Sequence, residues 1–335
     1  MQLVREPGEE PEQSPQVVHP HDNALEHAKD ALGAIAREAS EYLHMPWPEL
    51  DGLVGGIAPA DLWYINAFSG DGKTTFLTSL VLDGIKHSQW RVYYLGLESR
   101  PKVIMTHFAC ARLGMSAADL LSGAARQWPN YDAIRAALVD ELRRMVDDAS
   151  YGDVPYISKA KTLSAATVRS EARIANEIGA NVLVVDHVDH IAGSARSLMD
   201  ESTAVNDALL EASQEFGFVT LASGQLNLDA IRGDRALRYT APRENFIKFG
   251  NKKREVASGM LGLYRPLALN GVPKDDMAKF RAGDLEPRHV CEPNTMGVVC
   301  MKHRLYGSRE GQRVYLGVRD GRIVPRPSSL PYVLR

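Results

Sequence analysis

Cysteine is scarce in this 335-residue sequence. The three present, Cys110, Cys291 and Cys300, are an odd number, far apart and without a Cys-x-x-Cys spacing. That argues against a disulfide framework and a thiolate zinc site, and makes a reducing cytoplasm the expected home. An excess of positive charge is missing too. The net charge of −3 argues against a protein that coats nucleic acid over its whole surface, yet leaves room for a local basic channel. No hydrophobic run approaches a bilayer span, and the first residues are acidic and Pro-rich, unlike a signal sequence. No membrane association is expected. With 44% hydrophobic and 24% charged residues the composition is ordinary for a globular chain, long enough for one large domain with appendages.

The N-terminal stretch has little that packs. Residues 1–21 place Glu6, Glu9, Glu10 and Glu12 among Pro7, Pro11, Pro15 and Pro20, which reads as a disordered tail. Asp22 is a candidate N-cap for a helix running to about His44, with Leu25, Ala28, Leu32, Ile35 and Ala39 at helical spacing. Its single apolar stripe needs a cover, either its own domain or a neighbouring subunit. Pro46 and Pro48 end that helix. The expected organisation is therefore a tail (1–21), a linker helix (22–45) and one domain from 46 to 335, entered through a turn-rich stretch over 50–57. Strand-like apolar runs at 62–65, 91–97, 154–157, 181–185 and 218–222 then alternate with helical patterns near 101–113, 131–149, 164–178 and 201–216. Such alternation predicts an α/β fold with a mostly parallel sheet and helices on both faces. Beyond residue 255 the strands near 260–263, 297–301, 314–318 and 323–324 follow without helices, predicting a C-terminal antiparallel extension. Residues 267–295 form a polar insert of no evident role.

The chemistry gathers at Ala67-Phe68-Ser69-Gly70-Asp71-Gly72-Lys73-Thr74-Thr75. A strand, a Gly-containing turn and then Gly-Lys-Thr opening a helix is the layout of a phosphate-binding loop. Ser69, Gly70, Asp71 and Gly72 let the backbone bend so that its N–H groups face phosphate oxygens. Lys73 would reach the β- and γ-phosphates of ATP, Thr74 would take a place on Mg²⁺, and Thr75 continues the first helical turn. Ligands of open parallel sheets sit at the carboxyl ends of strands. Glu98, Asp186 and Gln225 fall at such ends. Asp186 closes the most hydrophobic run and suits a carboxylate that holds Mg²⁺. Glu98 suits a group that activates water, or else caps the next helix. Gln225 would sense the γ-phosphate or satisfy loop backbone groups. Residues two apart on a strand share a face, so Lys302 and Arg304 point together while His303 points away. Two cations aimed alike suit phosphates, including those of a neighbouring subunit. The alternative is a solvated basic edge. Between Asp229 and Glu255, eight basic residues stand against four acids. Its densest part, Lys248, Lys252, Lys253 and Arg254, reads as a mobile basic loop for the backbone of single-stranded DNA, or simply as solvated surface.

Taken together, the motifs resemble the RecA-like ATPase domain of DnaB-type replicative helicases, phage enzymes included. The residues that carry the resemblance are Leu50-Asp51 with Gly55-Gly56, Gly72-Lys73-Thr74, Leu97-Glu98, Val185-Asp186-His187, Gln225-Leu226-Asn227, Leu263-Tyr264-Arg265 and Lys302-His303-Arg304 with Gly307. They keep the family's order over roughly residues 46–324. The resemblance implies a RecA-like core in a homo-oligomeric ring, usually hexameric, in the bacterial cytoplasm. ATP and Mg²⁺ would lie between subunits, held by Gly72, Lys73, Thr74 and Asp186, with Glu98 activating water. Gln225 would relay nucleotide state to central loops near 193–203 and 245–254 that grip single-stranded DNA. Lys302 and Arg304 would act on the adjacent subunit's ATP. The helix at 22–44 resembles the linker that latches onto the next subunit, and a loader or primase would be the partner. Two departures stand out. No collar domain stands ahead of that linker, and Ala257-Ser258 occupies the place of a usual Ala-Asp. A RecA/RadA or KaiC-like ATPase that does not unwind, and a nucleotide-gated loader or docking module, are the alternatives.

Overall fold

The computed structural model describes residues 42–147, 155–158, 160–191, 198–231, 235–248, 250–266 and 294–325. The expected tail over 1–21 lies outside them, as do most of the expected linker helix and of the 267–295 insert. Where the linker reading reaches described residues it needs correction. Leu43 is paired with Ile57 in an antiparallel bridge, so the chain there is extended.

Runs apolar on both faces need cover on both faces, and the chain supplies it. The strands are β1 (Leu62–Ala67), β2 (Val92–Gly96), β3 (Tyr156–Ile157), β4 (Val182–Asp186), β5 (Val219–Gln225), β6 (Gly259–Tyr264), β7 (Thr295–His303), β8 (Arg313–Arg319) and β9 (Arg322–Val324). Among the described residues they form one nine-stranded sheet in the order β3-β2-β4-β5-β1-β6-β7-β8-β9. Pairing is parallel from β3 through β6 and antiparallel from β6 onward. The expected parallel sheet with an antiparallel C-terminal extension is thus the observed one. Alternation along a strand divides the core in two. Trp63, Ile65 and Ala67 of β1 pack on one face with Phe76, Leu77 and Leu80 of the Lys73–Ser88 helix. Leu62 and Tyr64 pack on the other with Val205, Ala208 and Leu209 of the Leu198–Phe216 helix. No helix among the described residues is long and apolar enough to cross a membrane.

Two stretches expected to be irregular are helical. Residues 48–54 form a helix, Pro48–Val54, with Pro48 in its first turn and Gly55 ending it at φ 79°. There Gly55 N–H donates to Asp51 O, a left-handed cap that favours glycine. The basic stretch expected as a mobile loop is likewise a helix, Gly250–Val256.

Packing is tight where β6 begins. A Cβ added to Gly259 would lie 2.4–2.5 Å from three atoms of the buried Trp63 ring. That ring packs edge-on against His303, centroids 5.1 Å apart. Gly259→Ala is expected to destabilise the domain by about 1–3 kcal/mol, the usual cost of overpacking a rigid core contact. Urea unfolding checks it: an unchanged midpoint would show that the ring yields freely.

Candidate nucleotide site

β1 lies between β5 and β6, and the chain leaves its carboxyl end through the phosphate-loop motif. Gly70 and Gly72 adopt φ of 83° and 88°, a region that L side chains resist. The Lys73–Ser88 helix starts immediately afterwards, so its unpaired N–H groups and positive dipole end open at the loop. Lys73 is buried, and its Nζ reaches back toward Ala67 O at 3.5 Å. Asp71 turns away to an arginine 167 positions on. Arg238 Nη2 donates to Asp71 Oδ1 at 3.0 Å and to Ser69 O at 2.8 Å. Burial pushes the Asp71 carboxyl above its ordinary range, and the Arg238 guanidinium opposes this. Asp71 and Ser69 thus bring backbone to the loop while being shaped from outside by Arg238. Thr75 O accepts from Ser79 Oγ at 2.8 Å, a bond within the helix.

β4 stands two strands from β1, and its last residue meets the loop's threonine. Thr74 Oγ1 donates to Asp186 Oδ2 at 3.1 Å, and Tyr94 OH donates to the same oxygen at 2.9 Å. Ser223 Oγ donates to Asp186 Oδ1 at 2.6 Å. Burial pushes the Tyr94 phenol well above its ordinary range, and the adjacent carboxylate adds to the shift, so it remains a donor. A fixed carboxylate and hydroxyl are the hard oxygen donors that Mg²⁺ takes. No group of three or more His, Cys, Asp or Glu stands ready as a cage among the described residues. A cation between Thr74 and Asp186 would draw its other ligands from phosphate and water, which is how Mg²⁺ sits on a nucleotide.

Glu98 lies just past β2 with a side chain 60% exposed, 3.4 Å from His187 Nε2. Asp189 N–H donates to His187 Nδ1 at 3.2 Å, which leaves the ring proton on Nε2, facing Glu98. Burial holds the His187 pKa below its ordinary value, favouring this neutral form. Gln225 ends β5 beside Ala67. Its N–H donates to Asp189 Oδ2 at 2.6 Å and its carbonyl accepts from Lys248 N–H at 3.1 Å.

Lys302 and Arg304 lie elsewhere. β7 runs antiparallel to β6, and Lys302 pairs with Met260, which pairs with Tyr64. Arg304 N–H donates to Ser258 O, and Ser258 N–H donates to Leu62 O. Arg304 is therefore level with the start of β1, roughly 16 Å along the strand from Ala67 at about 3.3 Å per residue. That exceeds the reach of its side chain to its own phosphate loop. As expected from alternation, Lys302 and Arg304 share a face while His303 is buried, its Nε2 2.7 Å from Val54 O. Lys302 Nζ donates to Arg254 O and Arg304 Nη2 to Glu255 O, the latter at 2.8 Å. Burial, with Arg304 beside it, holds the Lys302 pKa below its ordinary value. An open cleft of about 440 Å³ adjoins the pair, lined by Glu244, Asn251, Arg254, Glu255, Lys302 and Glu310.

A model described as the DnaB-like helicase C terminal domain matches residues 43–235. The chain belongs to that family. No curated protein sequence matches it. Among solved structures, that of a DnaB-like replicative helicase and its interactions with primase superposes with a TM-score of 0.64 at 18% identity. That match covers 90% of this chain and 66% of the helicase, so the chain spans just under two thirds of that relative. A structure of an ATPase domain alone, from a DnaB-like replicative helicase, gives 0.64 at 17% identity, covering 91% of this chain and 98% of that domain. A KaiC-like protein from Pyrococcus horikoshii gives 0.52 at 16% identity, covering 85% of this chain and 99% of that one. Identities this low speak to the fold, which is RecA-like, and the chain is a DnaB-type P-loop NTPase domain.

The DnaB-like domain departs from the expected basic loop. Lys253, read as a DNA cation, is 1% exposed and paired with the equally buried Asp189, Nζ to Oδ1 2.6 Å. A mobile surface role is excluded for it in this conformation, because a buried ammonium is committed to its counter-ion. Lys252 pairs with Asp207 at 2.8 Å and Glu255 at 3.2 Å, and Arg254 with Glu244 at 3.6 Å. Lys248 joins the sheet edge through its backbone. Of the implied central loops, 192–197 lies outside the described residues, and 198 onward is already the Leu198–Phe216 helix. Sequence reasoning missed Arg238, Tyr94, Ser223 and Asp189. Asp189 alone left a trace, as an acid three residues past Asp186 in a buried segment. The other three are brought in by strand order or loop packing.

Proposed function

We propose that this domain is an ATP-driven motor on single-stranded DNA, of the DnaB helicase type, working as a homo-oligomeric ring, in keeping with a hexamer. The observation that carries the reading is the division of one catalytic set between two edges of the sheet. Thr74, Asp186 and Glu98 gather at the phosphate-loop edge, while Lys302 and Arg304 stand too far away to serve the same nucleotide. A second protomer resolves the division, since one copy's phosphate loop can face another's Lys302 and Arg304. Backbone N–H groups from Ser69 to Thr75 bind the triphosphate, with Lys73 on its terminal phosphates. Thr74 and Asp186 would hold Mg²⁺, which supplies charge neutralisation between the β- and γ-phosphates. Glu98, steadied by His187, orients and deprotonates the attacking water. Lys302 and Arg304 of the neighbour neutralise charge developing on the γ-phosphate. Gln225 reads nucleotide state and passes it to the segment ending in the Gly250–Val256 helix, where Lys248, Lys252 and Arg254 are the candidate contacts to DNA phosphates. A loader or primase is the partner class in keeping with this reading.

ATPase rate with and without single-stranded DNA, paired with forked-duplex unwinding, tests the proposal. DNA-stimulated hydrolysis with unwinding is the expected result. Stimulation without unwinding would favour the RecA/RadA or KaiC-like reading, since the KaiC-like protein shares this fold. Binding of ATP with negligible turnover would leave a nucleotide-gated loader or docking module.

A further inference from the structure

We propose that the buried Asp189–Lys253 ion pair is a positioning device, tying the nucleotide edge of a protomer to the two cations it offers its neighbour. The inference rests on the reading of Lys302 and Arg304 as groups that act across a protomer boundary. Both members of the pair are 1% exposed. Such a pair is a poor way to gain stability, because desolvating two charges offsets most of their attraction and apolar side chains of similar volume often hold a fold better. What it does supply is one fixed geometry. Lys253 Nζ donates to Asp189 Oδ1 at 2.6 Å and to Lys248 O at 3.1 Å. Room for the ammonium depends on a glycine in β5: a Cβ added to Gly224 would lie 3.3 Å from Lys253 Nζ and 2.4 Å from Asn66 Oδ1.

Each end of this contact reaches a group assigned to the reaction. On one side, Asp189 Oδ2 accepts from Gln225 N–H, and Asp189 N–H donates to the His187 ring that faces Glu98. On the other side, the two residues after Lys253 give their carbonyls to the cations, Arg254 O to Lys302 and Glu255 O to Arg304. The Gly250–Val256 helix that carries all three is about 10 Å long at 1.5 Å per residue, short enough to move as one body. A displacement of Gln225 or His187 on nucleotide binding therefore pulls on the helix and shifts the anchors of Lys302 and Arg304. The pair is the link through which occupancy of one nucleotide site sets the reach of the groups that serve the next.

Removing either charge alone would bury the other unpaired and threaten folding. The test is accordingly the double variant Asp189→Asn with Lys253→Met in the full chain, which removes both charges and keeps an acceptor for Gln225 N–H. Hydrogen exchange is measured with and without Mg²⁺ and a non-hydrolysable ATP analogue. Peptides covering 250–256 and 302–304 report the link, and a peptide covering 70–80 reports occupancy. Nucleotide is expected to change protection of 250–256 and 302–304 in the wild type. The double variant should lose that response while the 70–80 peptide responds as before. Its kcat should fall about a hundredfold at unchanged KM, the scale of an ångström-sized misplacement of catalytic groups. A response that survives in the double variant, or is missing from the wild type, overturns the proposal, as does an unchanged kcat. A wild type that binds nucleotide without hydrolysing it defeats the proposed motor function instead, and the exchange comparison still decides the role of the pair.

Discussion

Arg304→Ala is expected to lower ATP turnover roughly a thousandfold while leaving nucleotide affinity near the wild-type value, as removal of an arginine acting in trans does. The expectation follows from position. Arg304 is level with the start of β1, its guanidinium rests on Glu255 O, and the phosphate loop opens at the other end of the strand. A group so placed contributes nothing to binding within its own protomer. Mixing experiments sharpen the prediction. An Arg304→Ala protomer keeps a complete phosphate-loop edge, and a Glu98→Ala protomer keeps a complete Lys302–Arg304 edge. Each is inactive alone, yet a boundary with the first supplying the nucleotide site and the second the arginine is whole. Mixed assemblies should recover part of the lost turnover. Normal hydrolysis by the Arg304→Ala protein, or no recovery at any mixing ratio, would remove the trans assignment.

Glu98→Gln is expected to lower kcat by about two to four orders of magnitude, the range for loss of a general base, with little change in nucleotide binding. Glutamine keeps the shape and can still accept from His187 Nε2, so the local structure survives and only the proton acceptor is lost. The exposure of Glu98 is consistent with this role, since a residue that handles water must meet it, and no buried network depends on its charge. Single-turnover hydrolysis measured beside equilibrium nucleotide binding separates chemistry from affinity. A kcat within a few-fold of wild type would return Glu98 to the role of a loop residue before the Pro101–Arg112 helix.

Much of this architecture was legible in the chain. The apolar runs of β1, β2, β4 and β5 carry their own signal because a strand covered on both faces has no polar side to show. The Gly-Asp-Gly-Lys-Thr turn declares itself because glycines at positive φ followed by a helix have few other uses. The alternation that aims Lys302 and Arg304 together and buries His303 is a local property of any strand, and the structure obeys it. Residues 48–54 read as turns and proved helical, since a seven-residue helix is too short to display a period. The basic segment misled for another reason. Four cations in seven residues read as surface charge, but the sign of a side chain does not reveal which way it points. Lys253 points inward to Asp189, 64 positions away.

By itself, then, the sequence determined the order of strands and helices, the phosphate loop, and which polar residues end which strands, because each of these is written in neighbours a few positions apart. Only the tertiary structure decided that Thr74, Tyr94 and Ser223 converge on Asp186, that Arg238 shapes the phosphate loop, and that Asp189 and Lys253 close a buried pair. Those contacts depend on sheet order and on loops returning across the sheet's edge. They are distances between residues far apart in the chain, and no local pattern encodes them.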